Sequence, residues 1–126
     1  MPSLNLSLLK ETYCICCLPA GEPVKPPPAG SFSLLVYSVE ETTLVCPPDQ
    51  APPGAEMNAG WRCFRIVVST DLSVPGILAS VLEPLAKAGI GIFATSTFST
   101  DYVLVKAGDV ERAVETLQAA GHHIRP

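Results

Sequence analysis

Residues 89–106 read GIGIFATSTFSTDYVLVK. Two apolar runs, Ile90–Ser96 and Tyr102–Lys106, flank the short stretch Phe98–Thr100. That arrangement predicts two antiparallel strands joined by a tight turn. Working upstream, Ile77, Leu78, Val81, Leu82 and Leu85 fall at i, i+1, i+4, i+5 and i+8, one apolar face of a helix running to about Ala88. Gly89 is placed to end it. Asp71 or Ser73 can cap its start, and Pro75 suits its first turn. Before that lies Trp61–Ser69, WRCFRIVVS, bulky and β-branched as a strand requires. Downstream, Gly108-Asp109 opens a second helix with Asp109 as its cap. Val110, Ala113, Val114 and Leu117 share one face of it, Gly121 ends it, and His122–Arg125 forms a last short strand.

The order from Trp61 onward is therefore β-α-β-β-α-β in about 65 residues, the split βαβ pattern of the ferredoxin-like α+β class. Two helices on one face of a four-stranded antiparallel sheet leave the other face to be covered by the preceding half or by a second subunit. That preceding half is different in character. Residues 4–18 read as a strand, Ser31–Ser38 and Thr42–Cys46 as a hairpin turning at residues 39–41, and residues 19–30 hold five prolines and two glycines. Residues 47–60, again rich in Pro and Gly, read as a second irregular connection.

The segment from Gly89 to Val105 resembles the second and third strands of ACT domains, where a GI-x-I-F…ST-x-x-TD-x-x-LV pattern is typical. Pro75-Gly76-Ile77-Leu78, followed by Leu85-Ala86-x-Ala88-Gly89-Ile90, is similar to the family's first loop and helix. Small bacterial proteins built from two ACT-like units, aspartokinase ACT units and the cytosolic arginine sensor of the TOR pathway share this likeness. The first half resembles the N-terminal unit of those small proteins more loosely, with proline-rich connections in place of both helices. The expectation is a ferredoxin-like ACT domain at 61–126, preceded at 1–60 by a degenerate, β-rich ACT-like unit.

The resemblance implies amino-acid binding where ACT units pair. The loop Asp71–Gly76 enters a helix N-terminus, whose free N–H groups favour a carboxylate. Gly76 lets a ligand approach the backbone, and Val74 and Ile77 flank it. Asp101 can meet an ammonium group, and Ser96, Thr97 and Thr100 can add neutral hydrogen bonds. Each has a plainer role: Asp71 and Ser73 as caps, Gly76 as a packing aid, Asp101 as a turn residue, the Ser/Thr run as hairpin surface. With Asp71, Ser73, Val74, Gly76, Ile77, Ser96, Thr97, Thr100 and Asp101 as candidates, the sequence points to a regulatory protein that binds an amino acid or related metabolite and acts in trans. The alternative is a ligand-free structural or oligomerisation module.

Other classes fare worse. Net charge is −4 with scattered basic residues, which argues against nucleic acid. Apolar runs fall short of the ~20 residues of a membrane helix. The N-terminus has no basic start and Lys10-Glu11 break its apolar run, so a cytoplasmic location is expected. Hydrophobic residues make up 48% and charged ones 16%, which favours a homodimer or higher homo-oligomer that covers apolar surface. No phosphate loop, His-Glu-x-x-His or paired acid–base motif appears, so neither catalysis nor a cofactor is expected. Cys14, Cys16, Cys17, Cys46 and Cys63 are odd in number, against a disulfide framework. The C-x-C-C spacing of the first three departs from zinc patterns and fits small core residues, with a metal- or redox-responsive role as the competing reading.

Overall fold

The computed structural model describes residues 3–30, 32–67 and 75–126. Among the described residues, seven strands and two α-helices follow in the order β1 (Asn5–Pro19), β2 (Leu34–Tyr37), β3 (Glu41–Cys46), β4 (Glu56–Ile66), α1 (Ile77–Lys87), β5 (Ile92–Ser96), β6 (Asp101–Lys106), α2 (Val110–Ala119) and β7 (His123–Arg125). The chain divides into two compact units, one of Met1–Lys10 with Arg62–Pro126 and one of Glu11–Trp61. No helix among the described residues is long and apolar enough to cross a membrane.

The first unit carries the βαββαβ succession as read, with the strand order β7-β1-β4-β6-β5. The four-stranded sheet expected from the sequence is thus one strand short. The start of β1 lies between β4 and β7 and pairs in parallel with β7, placing Asn5 opposite His123 and Leu6 opposite Ile124. The reason is local: β7 is only three residues long, and β1 offers it a partner whose Leu6, with Leu4 just before the strand, completes the core. That core joins Leu4, Leu6, Phe64, Ile66, Val103 and Val105 from the strands to Val81, Leu85, Ala113 and Leu117 from the helices. The apolar positions named from helical spacing are the ones that face it.

Both helices end as expected. Gly89 (φ 73°) follows α1, and its N–H and that of Ile90 donate to Ala86 and Leu85 carbonyls. Their starts differ from expectation. The N-cap of α1 is Gly76, at φ 84° in the left-handed region, with no side-chain cap among the described residues, and Pro75 precedes the helix instead of lying in its first turn. A cap from Asp71 or Ser73 falls outside the described residues. Asp109 does occupy the N-cap position of α2, but its carboxylate goes to Arg112 at 3.1 Å instead of capping the backbone.

In the second unit β3 pairs antiparallel with both β2 and β1. The hairpin between β2 and β3 is closed by Ser38, whose hydroxyl donates to the Glu41 carbonyl at 2.7 Å and accepts from the Glu41 N–H. Residues 47–60 are not irregular throughout. A 3-10 turn spans Pro48–Gln50, and β4 already begins at Glu56. Glu56–Ala59 alternate polar and apolar residues over only four positions, all of them exposed, a signal too short to stand out beside the prolines and glycines before it.

Candidate functional site

The sequence placed four candidates on the hairpin between β5 and β6. The two strands pair with Ser96 opposite Asp101, the last rung before the turn. Thr97 N–H donates to the Thr100 carbonyl at 2.8 Å and closes that turn, with the Thr97 hydroxyl adding a weaker bond at 3.3 Å. Ser96 Oγ donates to Asp101 Oδ1, and Thr100 Oγ1 donates to the carbonyl of Ile66 at the end of β4. Asp101 is 7% exposed and Thr100 5%. The hairpin is therefore tied to β4 where the chain leaves the sheet toward α1. A largely buried carboxylate held by a neutral hydroxyl is a poised acceptor for a cationic group. The same bonds also serve as turn chemistry, the plainer role each residue was given.

The remaining candidates lie on the approach to α1. Asp71, Ser73 and Val74 fall outside the described residues. Gly76 is exposed, and its carbonyl accepts from Ser80 N–H at 3.0 Å as the first helical bond. The helix has no acidic residue in its first turn, and among the described residues no side chain caps its first N–H groups. Ile77 is half-buried, and its carbonyl accepts from the Ser80 hydroxyl at 2.7 Å.

One buried residue escaped the sequence reading. His122, 3% exposed, accepts the Leu4 N–H at Nδ1 (3.1 Å). A carbonyl can only accept, so the proton on Nε2 is donated to Ser80 O at 2.9 Å. Pro84 explains why Ser80 O is available. Position 84 would normally supply the N–H that bonds this carbonyl, and proline has none. The signal was in the sequence: a proline in the middle of a helix frees the carbonyl four residues before it. Ser80, Glu83, Pro84, Lys87, Ala120 and His122 also line a shallow pocket of about 290 Å³.

The cysteines group differently from their order in sequence. Cys17 points away from Cys14 and Cys16 by strand alternation and is half-buried, whereas Cys46 joins them from β3. Burial, with the neighbouring Cys14 thiol, pushes the Cys16 thiol up to about 12 and the Cys46 thiol to about 11. Burial alone pushes Cys63 to about 12. With no metal bound, these thiols stay protonated at neutral pH.

The strand order, helix placement and hairpin define a small ferredoxin-like α+β domain. The family model described as "ACT domain" matches residues 56–119. The chain belongs to the ACT domain family. Among solved structures, protein Atu0741 from Agrobacterium tumefaciens is similar at 34% identity and TM-score 0.91, over 98% of this chain and 93% of that one. A Vibrio cholerae protein, VC0802, described as of unknown function and possibly a transport protein, gives 20% identity and TM-score 0.73 over 94% and 91% of the two chains. The ligand-free regulatory subunit of aspartate kinase from Thermus thermophilus gives 13% identity and TM-score 0.65 over 91% and 95%. At those identities the last two likenesses show the fold.

Proposed function

We propose that this chain is a non-catalytic regulatory ACT protein that binds an amino acid or a related small metabolite and acts in trans, in the cytoplasm, as a homodimer or higher homo-oligomer. Residues 61–126 form the binding ACT domain in this reading, and residues 1–60 a degenerate ACT-like unit. The observation that carries it is Asp101: a carboxylate 7% exposed on the hairpin, partnered by the neutral hydroxyl of Ser96 and, among the described residues, in no ion pair. Such a group attracts an α-ammonium or a basic side chain, while the N-terminal end of α1 attracts a carboxylate. Family membership supports the same reading, as does the fold shared with an aspartate kinase regulatory subunit. Regulation in trans requires that the ligand favour one conformation or assembly state over another.

Thermal unfolding of the full chain against a panel of the common amino acids tests this. A ligand that binds only the folded state at 100 times its Kd stabilises by about 2.7 kcal/mol. A saturable rise for one amino acid, abolished by Asp101→Asn with the circular dichroism unchanged, is the expected result. No shift across the panel would sink amino-acid binding and favour an assembly module. The exposed Phe98 at the hairpin tip, 94% accessible, suits that second reading.

A further inference from the structure

In the second unit, β1 and β3 pair with Cys14 opposite Cys46 and Cys16 opposite Leu44. Side chains alternate across a strand, so Cys14, Cys16 and Leu18 emerge on one face beside Cys46, Leu44 and Thr42. The three Sγ atoms all lie within 4.8 Å of one another, with Cys14 and Cys16 at 3.4 Å, and all three residues are fully buried. None of them is in a disulfide.

We propose that Cys14, Cys16 and Cys46 form a soft-metal site, three thiolates that hold one monovalent copper ion in a trigonal arrangement. Metal–thiolate bonds of about 2.3 Å place three sulfurs around one ion about 4 Å apart. One observed spacing is 3.4 Å and the others are no more than 4.8 Å, within reach of that value by side-chain rotation and without movement of strands. The donor set selects the ion. Thiolate sulfur is soft and suits monovalent copper. Structural zinc takes four protein ligands, and among the described residues no histidine or carboxylate belongs to this group.

The surroundings favour low coordination. Leu18 and Leu44 belong to the same buried cluster, and Val24, Leu35, Ala51 and Ala55 pack against it, which keeps water from serving as a fourth ligand. The shell around the site borders open space. Leu18, Val24 and Ala51 also line an open pocket of about 550 Å³ walled by the prolines at 23, 26–28, 52 and 53. Binding is ligand exchange without redox: copper enters as Cu(I), three Cu–S bonds form, and the three thiol protons leave to solvent or to the ligands of the copper donor.

The test is an anaerobic titration of the full chain with Cu(I) buffered by a competing chelator. One copper per chain is expected, with sulfur-to-copper charge-transfer absorption in the ultraviolet. X-ray absorption of the wild-type complex should show three sulfur neighbours and no nitrogen or oxygen. Cys14→Ala, Cys16→Ala and Cys46→Ala should each weaken binding by more than about 100-fold, beyond the loss of an outer-shell partner, while Cys17→Ala and Cys63→Ala leave it intact. The wild-type spectrum stands even if a core variant fails to fold. No copper held against the chelator, a nitrogen or oxygen neighbour, dependence on Cys17, or zinc bound more tightly than copper would each overturn the assignment.

Discussion

Replacing His122 by alanine orphans two buried backbone groups at once, the Leu4 N–H and the Ser80 carbonyl. Each such group costs about 1–3 kcal/mol when its partner is removed, so the loss should total roughly 2–6 kcal/mol, with the cavity adding to it. For a chain of this size that lowers Tm on the order of 10 °C or more. The sharper test uses Pro84. Pro84→Ala restores the N–H that α1 lacks and offers Ser80 O an intrahelical donor. By itself the change exchanges a poor helix former for a good one and should stabilise. In the His122→Ala background it should stabilise by about 1–3 kcal/mol more than in wild type, because there it also relieves an orphaned carbonyl. Urea unfolding of the four proteins measures the difference. Equal effects of Pro84→Ala in both backgrounds, within about 0.5 kcal/mol, would refute the claim that His122 stands in for the missing helical donor.

Other outcomes follow from single contacts. Thr100→Val keeps the shape of a buried side chain but strips the Ile66 carbonyl of its hydroxyl donor, so denaturant unfolding should show a loss of about 1–3 kcal/mol. Thr97→Val, at an exposed position with a 3.3 Å bond, should stay within about 0.5 kcal/mol. Gly76→Ala meets no atom of the described residues within 4 Å, so its cost is the left-handed backbone at φ 84°, about 1–2 kcal/mol by thermal melt. Cys16, Cys46 and Cys63 have folded-state values raised above the ordinary 9.0, so their contribution is complete below about pH 9. It should be lost as pH climbs from 9 toward 11–12, and Cys63→Ala should flatten that alkaline decline without removing it. A melt series from pH 7 to 11 at which stability does not fall would contradict the burial of these thiols.

How much of this was legible in advance differs element by element. Helices α1 and α2 were legible because Val81, Leu85, Ala113 and Leu117 repeat at helical spacing and glycines stop the chain beyond them. The β5–β6 hairpin was legible because its strands pair across a turn of four residues, Thr97 to Thr100. The candidate site was legible only as a set of residue types. Whether Ser96 meets Asp101, and that Thr100 meets Ile66 from 34 residues away, depends on register and on the placement of β4 beside β6.

The sequence by itself determined the βαββαβ succession, the apolar faces of both helices and the family, because each rests on local periodicity and on motifs a few residues long. Tertiary structure alone decided what crosses the chain. Strand β1 enters the sheet beside β7, more than a hundred residues away. Cys46, not Cys17, completes the thiol cluster, because alternation turns Cys17 to the opposite face while β3 brings Cys46 opposite Cys14. His122 reaches Ser80 across 42 residues to satisfy a carbonyl that Pro84 cannot. The physical reason is the same in all three. A local pattern says which side chains want burial and which backbone groups lack a partner, but only the packed fold says which distant residue supplies one.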